Sequence, residues 1–207
     1  MKIQILVEGQ GDEAAVPILL RRLQQECGAF GVSYGHPIRR HRSELVNESP
    51  LRRAVRMALG REEGCAGILL IFDGDTDCPR ELAPRVQDWA RAEAGPIPCE
   101  VVIAYREYEA WFLGALDSLR GRCGVRGDAL PHPSPESMRG AKARLTSAME
   151  GSRSYSETKD QPALTALFDL AAAYRACRSF RRMVHAFGRL AAAAGAELGE
   201  WPPSTWS

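Results

Sequence analysis

Short, almost continuous runs of apolar residues alternate with longer amphipathic segments in the first half of the chain. Three such runs are Ile3–Gly9, Ala66–Phe72 and Cys99–Tyr105, each bounded by polar or glycine-containing stretches. Continuous apolar runs of this length are typical of strands that are buried on both faces of a parallel sheet. The segment Phe30–Arg42 predicts a fourth strand, although its glycines and Pro37 interrupt the pattern.

Between these runs, apolar residues recur at the spacing of an α-helix. Helices are predicted over four segments, Asp12–Cys27, Ser49–Leu59, Pro79–Ala94 and Glu107–Leu116. Asp12 and Ser49 are predicted to cap the first two helices, because their side-chain oxygens can accept hydrogen bonds from free N–H groups of the first turn. Strand and helix thus alternate four times, which predicts an α/β fold with a mainly parallel sheet flanked by helices.

The pattern changes after a proline-rich loop at Gly127–Ser137. Three alanine-rich segments follow, and each repeats its apolar residues with helical spacing: MRGAKARLTSAME, QPALTALFDLAAAYRAC and SFRRMVHAFGRLAAAAG. The sequence therefore predicts an α/β domain over residues 1–118 and a C-terminal helical extension over residues 119–207 that packs against it. The final residues, EWPPSTWS, are predicted to be irregular.

The composition is that of an ordinary globular protein, and it limits the functions to be considered. The 207 residues are 45% hydrophobic and 26% charged, and no apolar stretch approaches the roughly 20 residues that cross a bilayer. Since the first residues enter a strand at once and lack a signal-peptide pattern, we expect a cytoplasmic protein without membrane contact. The six cysteines form no C-x-x-C pair, which argues against a cysteine-ligated zinc ion and against a disulfide framework.

Charge is distributed unevenly, although the formal net charge is only +1. Residues 36–61 contain seven Arg and two Glu, residues 73–117 contain ten acidic residues and four Arg, and residues 139–189 contain ten basic and four acidic residues. An acidic middle between two basic segments suits an enzyme that binds cations through carboxylates and phosphates through arginines. Solvated helix faces would give the same pattern, so charge alone does not decide the function.

Acidic residues directly follow two of the predicted strands. Asp73, Asp75 and Asp77 come after the strand at Ala66–Phe72, and Glu8 ends the first strand. On an extended segment, side chains two residues apart point the same way, so Asp73 and Asp75 are predicted to face one cation, with Asp77 joining them if the chain stays extended. Parallel sheets bind ligands at the carboxyl ends of their strands, and Mg²⁺ prefers oxygen ligands. If the two strands are neighbours, Glu8 completes a site for Mg²⁺ or Mn²⁺.

The two acidic segments resemble those of a known domain. VEGQGDE after the first strand and IFDGDTD after a later strand are similar to the two signature motifs of the Toprim domain, which occurs in topoisomerases, primases and overcoming-lysogenization-defect nucleases. This similarity covers roughly residues 1–115. More narrowly, VEGQGDE, YREYEAWFL, the AK pair at Lys142 and CRSFRR resemble the domain-of-unknown-function family 4276, over most of the chain.

The Toprim resemblance implies a Rossmann-like sheet and a metal-dependent nuclease, a hydrolase that cleaves phosphodiester bonds of DNA or RNA. It assigns metal binding to Asp73 and Asp75, and it makes Glu8 a metal ligand or the general acid/base. The resemblance fixes no role for Glu107 or Glu109, which both lie just past a strand end. We favour Glu109 as a further metal ligand, and the alternative is an acid placed in the first turn of a helix by the helix dipole.

Basic residues supply candidate contacts to a nucleic-acid backbone. Arginine forks match phosphate oxygens, and the segment IRRHR at Ile38–Arg42 brings several guanidinium groups together. Overcoming-lysogenization-defect nucleases place a lysine near their metals, which implies a catalytic role for Lys142. The candidate nucleic-acid-binding residues are Arg39, Arg40, Arg42, Lys159, Arg181 and Arg182.

Two other functions stay open. Toprim-like nucleases of bacterial phage-defence systems often act with an ATPase of the ABC or SMC type, and this chain has no G-x-x-x-x-G-K-[ST] motif of its own. The chain is then an effector or binding protein that is inactive without such a partner, and a homodimer is also open. Alternatively, IFDGDTD resembles the Asp-x-Asp motif of haloacid-dehalogenase-like phosphatases, but Asp77 stands where that family has threonine.

Overall fold

Four parallel strands form one sheet at the centre of the protein. The structure is a computed structural model and describes residues 1–206. The strands are β1 (Lys2–Val7), β2 (Ile38–Arg39), β3 (Cys65–Asp73) and β4 (Cys99–Ala104), and they lie in the order β2-β1-β3-β4. All three strand pairings are parallel, so the predicted α/β class with a parallel sheet is confirmed.

β3 is the central strand, and its apolar run explains this position. Both β1 and β4 pair with it along most of their length. Because side chains alternate along a strand, Leu69 and Ile71 of β3 belong to one hydrophobic core, whereas Ile68, Leu70 and Phe72 belong to the other. A strand that buries apolar side chains on both faces requires helices on both sides of the sheet.

The helices form the outer layers and a group of short segments beside them. The α-helices are α1 (Gln10–Cys27), α2 (Arg42–Leu45), α3 (Glu48–Leu59), α4 (Pro79–Ala94), α5 (Ala110–Gly114), α6 (Ala141–Ser147), α7 (Asp160–Thr165), α8 (Leu170–Ala176) and α9 (Arg178–Ala193). Short 3-10 turns lie at Leu116–Leu119, Pro135–Ser137 and Ser204–Trp206. Among residues 1–206, no helix combines the length and the hydrophobicity that a bilayer crossing requires.

The two faces of the sheet are covered by different parts of the chain. α3 and α4 pack on one face, around Leu51, Val55, Leu82 and Val86. α1 and α9 contribute to the core on the other face, and α9 contacts both β3 and β4 directly. The segments α5 to α8 extend this second core beyond the sheet. Residues from the predicted extension therefore supply one of the layers that bury the sheet.

Three predicted helix starts are wrong: the helix predicted from Glu107 begins only at Ala110, and the other two errors, of one or two residues, concern the caps. α1 begins at Gln10, so that Asp12 lies inside the first turn and its carboxylate accepts the N–H of Gly9 instead of capping from outside. α3 begins at Glu48 after Asn47, not after Ser49. The second alanine-rich segment also forms two helices, because Asp169 caps α8 after a break that follows α7.

The strand predicted over Phe30–Arg42 is reduced to the two residues of β2. Gly31 has a φ of 97°, in the left-handed region that favours glycine, and this conformation is incompatible with an extended strand. Pro37 then directly precedes β2. β2 is thus a short edge strand beside the carboxyl end of β1, with Leu6 opposite Ile38 and Val7 opposite Arg39.

Candidate metal centre at the carboxyl edge of the sheet

A small polar cavity lies at the carboxyl edge of the sheet, where β1 and β3 end side by side. Its volume is about 90 Å³. We call it the acidic cavity, because five carboxyl groups and one lysine line it. The lining residues are Glu8, Gly9, Asp12, Asp73, Tyr108, Glu109, Lys142, Glu157 and Gln161.

Asp73 lies at the end of β3 and is held from two sides. Its Oδ1 accepts the backbone N–H of Tyr108 at 2.9 Å, and its Oδ2 lies 3.7 Å from Nζ of Lys142. Burial and the neighbouring negative charge of Glu109 raise the pKa of Asp73 well above its usual range, although Lys142 opposes this shift. A cation beside this carboxyl group would oppose the shift and favour its ionised form.

Glu109 is the most deeply buried acid of the cavity, with only 1% of the residue exposed. It lies just before α5, and its Oε1 accepts a hydrogen bond from Oη of Tyr155 at 2.8 Å. Its Oε2 is buried and has no hydrogen-bond partner. Burial raises the pKa of Glu109 to about 7, against the opposing effects of the Lys142 charge and the Tyr155 hydrogen bond.

Glu8 follows β1 and forms the boundary between the cavity and a neighbouring arginine. Its side chain is 26% exposed, and its Oε2 lies 3.7 Å from a terminal nitrogen of Arg42, too far for a hydrogen bond. Burial raises the pKa of Glu8, while the charge of Arg42 acts in the opposite direction. Glu8 and Asp73 line the same cavity, as predicted for acids that follow adjacent parallel strands.

Asp12 is a cavity residue that the sequence analysis assigned only to helix capping. Its Oδ2 accepts the N–H of Gly9 at 2.9 Å, and its Oδ1 accepts a hydrogen bond from Nε2 of Gln161 at 2.7 Å. Burial raises its pKa. A β-carbon at Gly11 would lie 2.0 Å from Oε1 of Gln161, so only glycine lets α7 approach α1 this closely. The G-D pair inside VEGQGDE is the signal that could have identified Asp12.

Lys142 supplies the one positive charge among the residues that line the cavity. Its Nζ lies 2.9 Å from Oε1 of Glu157 and 3.7 Å from Oδ2 of Asp73. Burial lowers the pKa of this ammonium group, but the charges of Glu109 and the other carboxylates outweigh it, and the net effect raises the pKa. The backbone N–H of Lys142 donates to Oε2 of Glu107 at 2.8 Å, so Glu107 fixes the first turn of α6 and does not line the cavity.

The extended geometry predicted for Asp73 to Asp77 is wrong. β3 ends at Asp73, and Asp75 has a φ of 48°, in the left-handed region. Gly74 donates its N–H to the carbonyl oxygen of Ala104 at 2.8 Å, and Asp77 donates its N–H back to Gly74 at 2.9 Å, which closes a turn. Asp75 and Asp77 therefore do not line the cavity that Asp73 faces.

Asp75 and Asp77 instead surround the guanidinium group of Arg42, and we call these three residues the Arg42 cluster. Asp75 Oδ2 lies 3.4 Å from Nε, and Asp77 Oδ2 accepts a hydrogen bond of 2.6 Å from a terminal nitrogen. Arg42 also donates to the carbonyl oxygens of Asp73 and Gly74. Arg42 thus donates three hydrogen bonds within the protein and is surrounded by its acidic residues.

The remaining basic candidates lie apart from the cavity. Arg39 pairs with Glu13 at 3.7 Å, and Arg40 contacts the sulfur of Met57. Arg181 and Arg182 on α9 donate to backbone carbonyl oxygens, and the partner of Arg182 is Val101 in the middle of β4. Lys159 is exposed, and its neighbours along the chain, Glu157 and Gln161, line the cavity.

The residues of the cavity have the chemistry of a divalent-cation site. Between residues 1 and 206, no three acidic, histidine or cysteine side chains are already arranged as a metal site. The donors nevertheless fit Mg²⁺ or Mn²⁺, because all of them are oxygens, and Oε2 of both Glu8 and Glu109 is buried without a hydrogen-bond partner. Side-chain rotation at Glu8 and Glu109 would be needed to bring these oxygens onto one ion.

The fold and this edge define an α/β protein with a carboxylate-rich site at the ends of its parallel strands. Its family is identified by comparison: the family model described as Domain of unknown function (DUF4276) matches residues 7–187. The chain therefore belongs to this family. Comparison with curated proteins gives no match, and comparison with solved structures gives none.

Proposed function

We propose that the protein is a Toprim-like nuclease that hydrolyses phosphodiester bonds of DNA or RNA with Mg²⁺ or Mn²⁺. Glu8, Asp73 and Glu109 would hold the ion, and Lys142 would face the substrate phosphate. The observation that carries this proposal is the buried, unpartnered Oε2 of Glu109 in a cavity lined by five carboxyl groups. A buried acceptor without a partner costs about 1–3 kcal/mol, and more for a charged group, so a ligand that satisfies it is expected.

The electrostatics of the cavity support a cation more than any other ligand. The lysine ammonium group offsets only part of the negative charge, and burial raises the pKa values of Asp73 and Glu109. A divalent ion would favour the ionised forms and reduce the repulsion between the carboxylates. An anionic group could approach only after such an ion had reversed the local charge.

The Toprim-like part of the proposal is supported by the positions of Glu8 and Asp73 in the sheet. These residues follow β1 and β3, which are adjacent parallel strands, and both face one cavity. The resemblance of the two motifs predicted this convergence from strands that lie about 60 residues apart in the chain. Asp75 departs from the expectation because it belongs to the Arg42 cluster.

In the proposed reaction, the ion and the residues around it would have separate roles. A bound divalent ion lowers the pKa of a water ligand and stabilises negative charge on a departing oxygen. Glu109 would hold this ion through its buried Oε2, which has no other partner. The Lys142 ammonium group, held by Glu157 at 2.9 Å, is positioned to compensate charge on a phosphate oxygen.

A haloacid-dehalogenase-like phosphatase is the weaker alternative. Its Asp-x-Asp motif requires both aspartates to act at one site, whereas Asp75 has a left-handed backbone and pairs with Arg42. That reaction would also leave the unpartnered oxygens of Glu8 and Glu109 unexplained.

A partner-dependent effector of a phage-defence system would use the same cavity, and it differs from the nuclease proposal only in needing an ATPase for activity.

The decisive experiment is a cleavage assay with purified protein on labelled single-stranded and duplex DNA and RNA, with Mg²⁺, Mn²⁺ or EDTA. We expect cleavage that requires metal and that falls at least about 100-fold in Asp73→Asn and in Glu109→Gln. Asp128→Asn is the matched control, because Asp128 is 79% exposed and does not line the cavity. Cleavage that persists in both cavity variants would refute the proposal.

The same assay separates the partner-dependent alternative. Metal binding without any cleavage by the isolated chain would favour an effector, and adding an ATPase of the ABC or SMC type encoded beside the gene should then restore cleavage. Absence of metal binding would exclude both versions.

A further inference from the structure

The acidic residues after β3 already have a cation, and that cation is a side chain of the protein. Arg42 donates a 2.6 Å hydrogen bond to Asp77, its Nε lies 3.4 Å from Asp75, and a terminal nitrogen lies 3.7 Å from Glu8. The first two carboxylates belong to the segment IFDGDTD that predicts metal binding. In the structure, a guanidinium group offsets part of their negative charge.

Arg42 is fixed in place by more than these charges. It donates to the carbonyl oxygens of Asp73 and Gly74, and its guanidinium carbon lies 5.6 Å from the centroid of the Phe72 ring. Its side chain is 18% exposed. Movement of Arg42 away from this position would break its hydrogen bonds to Asp73, Gly74 and Asp77 and remove the positive charge beside Asp75. The guanidinium group is therefore a permanent part of the site.

The acidic cavity differs, because it contains a buried carboxylate oxygen that no donor of the protein reaches. Glu109 is almost fully buried, and its Oε2 has no hydrogen-bond partner. Glu8 lies between the two regions, and its Oε2, which is 3.7 Å from Arg42, also has no hydrogen-bond partner.

We infer that the protein binds one divalent cation, in the acidic cavity, and that Arg42 permanently supplies the positive charge where a second metal ion would otherwise lie. This inference rests on the cation site of the proposed function and gives its stoichiometry. A second ion beside Asp75 and Asp77 would lie a few ångströms from a guanidinium group, which repels it. It would also compete for the oxygens that Arg42 already holds.

Titration of the metal-free protein with Mn²⁺, followed by the electron paramagnetic resonance signal of free Mn²⁺, measures the stoichiometry directly. We expect one tight equivalent per chain. Asp75→Asn and Asp77→Asn should retain that equivalent with a Kd changed less than about threefold, whereas Asp73→Asn should weaken it at least about 100-fold. Two tight equivalents in the native chain, or an Asp75→Asn effect as large as that of Asp73→Asn, would overturn the inference.

Arg42→Gln tests the role of the guanidinium group itself. Glutamine keeps an amide donor for the carbonyl oxygens but removes the charge, so Asp75 and Asp77 should gain a second, weaker Mn²⁺ equivalent. A titration that stays at one equivalent in a folded Arg42→Gln protein, verified by its circular dichroism spectrum, would contradict the inference. If this variant does not fold, the aspartate variants still decide the stoichiometry.

The outcomes separate this inference from the proposed nuclease activity. One Mn²⁺ equivalent without cleavage rejects the nuclease and leaves the stoichiometry standing. Two equivalents with metal-dependent cleavage reject the stoichiometry and leave the nuclease standing. No Mn²⁺ binding rejects both.

Discussion

The acidic cavity and the Arg42 cluster lie side by side at one edge of the sheet, yet their carboxylates have opposite environments. In the Arg42 cluster, Asp75 and Asp77 are about half exposed, at 50% and 51%, and lie within 3.4 Å of a guanidinium group. In the cavity, Glu109 is 1% exposed and one of its oxygens has no partner. Glu8 lies between the two regions and faces both.

This difference shows that a dense group of acidic residues does not by itself locate a cation site. The D-x-D-x-D segment is the most acidic stretch after a strand, but two of its three side chains already pair with Arg42. The less conspicuous Glu109 has the unsatisfied oxygen. Burial together with a missing partner is the better indicator, because only then does an added cation lower the free energy substantially.

Removal of Arg42 should have the largest effect on stability. Arg42→Ala removes a donor from the carbonyl oxygens of Asp73 and Gly74 and from the carboxylate of Asp77. It also removes the positive charge beside Asp75. Arg42 is only 18% exposed, and loss of its hydrogen bonds to Asp73, Gly74 and Asp77 costs about 3 kcal/mol in total. Urea unfolding at neutral pH measures this change, with Arg53→Ala as the control, since Arg53 contacts only Ser49 on the exposed side of α3. Equal stability of the two variants would contradict the assigned role of Arg42.

Removal of the Glu109 charge should increase the free energy of unfolding, whereas removal of Arg42 should decrease it. The folded pKa of about 7 lies above the ordinary value of 4.5, so folding favours the protonated acid. The contribution of Glu109 to stability is therefore fully present below pH 4.5 and is lost as pH rises to about 7. In metal-free protein at pH 8, Glu109→Gln should stabilise the fold by on the order of 2 kcal/mol, somewhat less than the full shift implies.

The free energy of unfolding of native and Glu109→Gln protein, measured by urea titration between pH 5 and pH 8 in EDTA, tests this sign. The difference should be small at pH 5 and should grow toward pH 8. Saturating Mn²⁺ should reverse it, because the native carboxylate then gains a ligand. A difference that is independent of pH would show that Glu109 does not titrate in this range.

Removal of the Tyr155 hydroxyl should have a smaller effect within the cavity. Tyr155→Phe deletes the 2.8 Å hydrogen bond to Glu109 and should raise the pKa of that acid further. We expect a loss of about 1 kcal/mol at pH 8 and a weaker affinity for Mn²⁺. Tyr34→Phe is the control, because Tyr34 donates to the carbonyl oxygen of Leu20 and does not line the cavity. Unchanged Mn²⁺ affinity in Tyr155→Phe would exclude a role in positioning Glu109.

Substitution of Asp77 should have the smallest effect. Asp77→Asn weakens an ion pair that is half exposed to water, and such pairs contribute roughly 0.5 kcal/mol or less. The loss should shrink further in 1 M NaCl, because salt screens exposed charges. Urea unfolding at low and high salt measures both values. A loss above about 2 kcal/mol would mean that the Arg42 cluster is far less accessible to solvent than its exposure indicates.

The local pattern of apolar residues was sufficient to predict the parallel strands, but it did not predict the side-chain contacts of the site. The runs Ile3–Gly9, Ala66–Phe72 and Cys99–Tyr105 carry enough apolar residues to require burial on both faces, and this predicts parallel strands. The same reasoning placed Glu8 and Asp73 at neighbouring strand ends. Burial of alternate side chains depends on short-range periodicity, so it can be read from a single segment.

The side-chain contacts of the site depend on distant segments, and the sequence could not specify them. Asp75 lies outside the acidic cavity for two reasons. The turn at Gly74 is hydrogen-bonded to the end of β4, and Arg42, the first residue of α2, pairs with Asp75. The IRRHR segment predicts a phosphate contact at Arg42 and gives no sign that this residue pairs with Asp75 and Asp77. Glu109 is buried only because α5 packs under the later helices, and no pattern near residue 109 predicts that.

The hydrogen bond between Asp12 and Gln161 joins residues that are 149 positions apart in the chain. With Lys142 and Glu157, Gln161 completes the wall of the acidic cavity from beyond residue 118. A fragment that stops at residue 118 would retain Glu8, Asp73 and Glu109 but would open their surroundings to bulk water. The sheet with its acidic residues is consequently not a self-contained unit, and its transfer into another protein would require the α6–α7 segment as well.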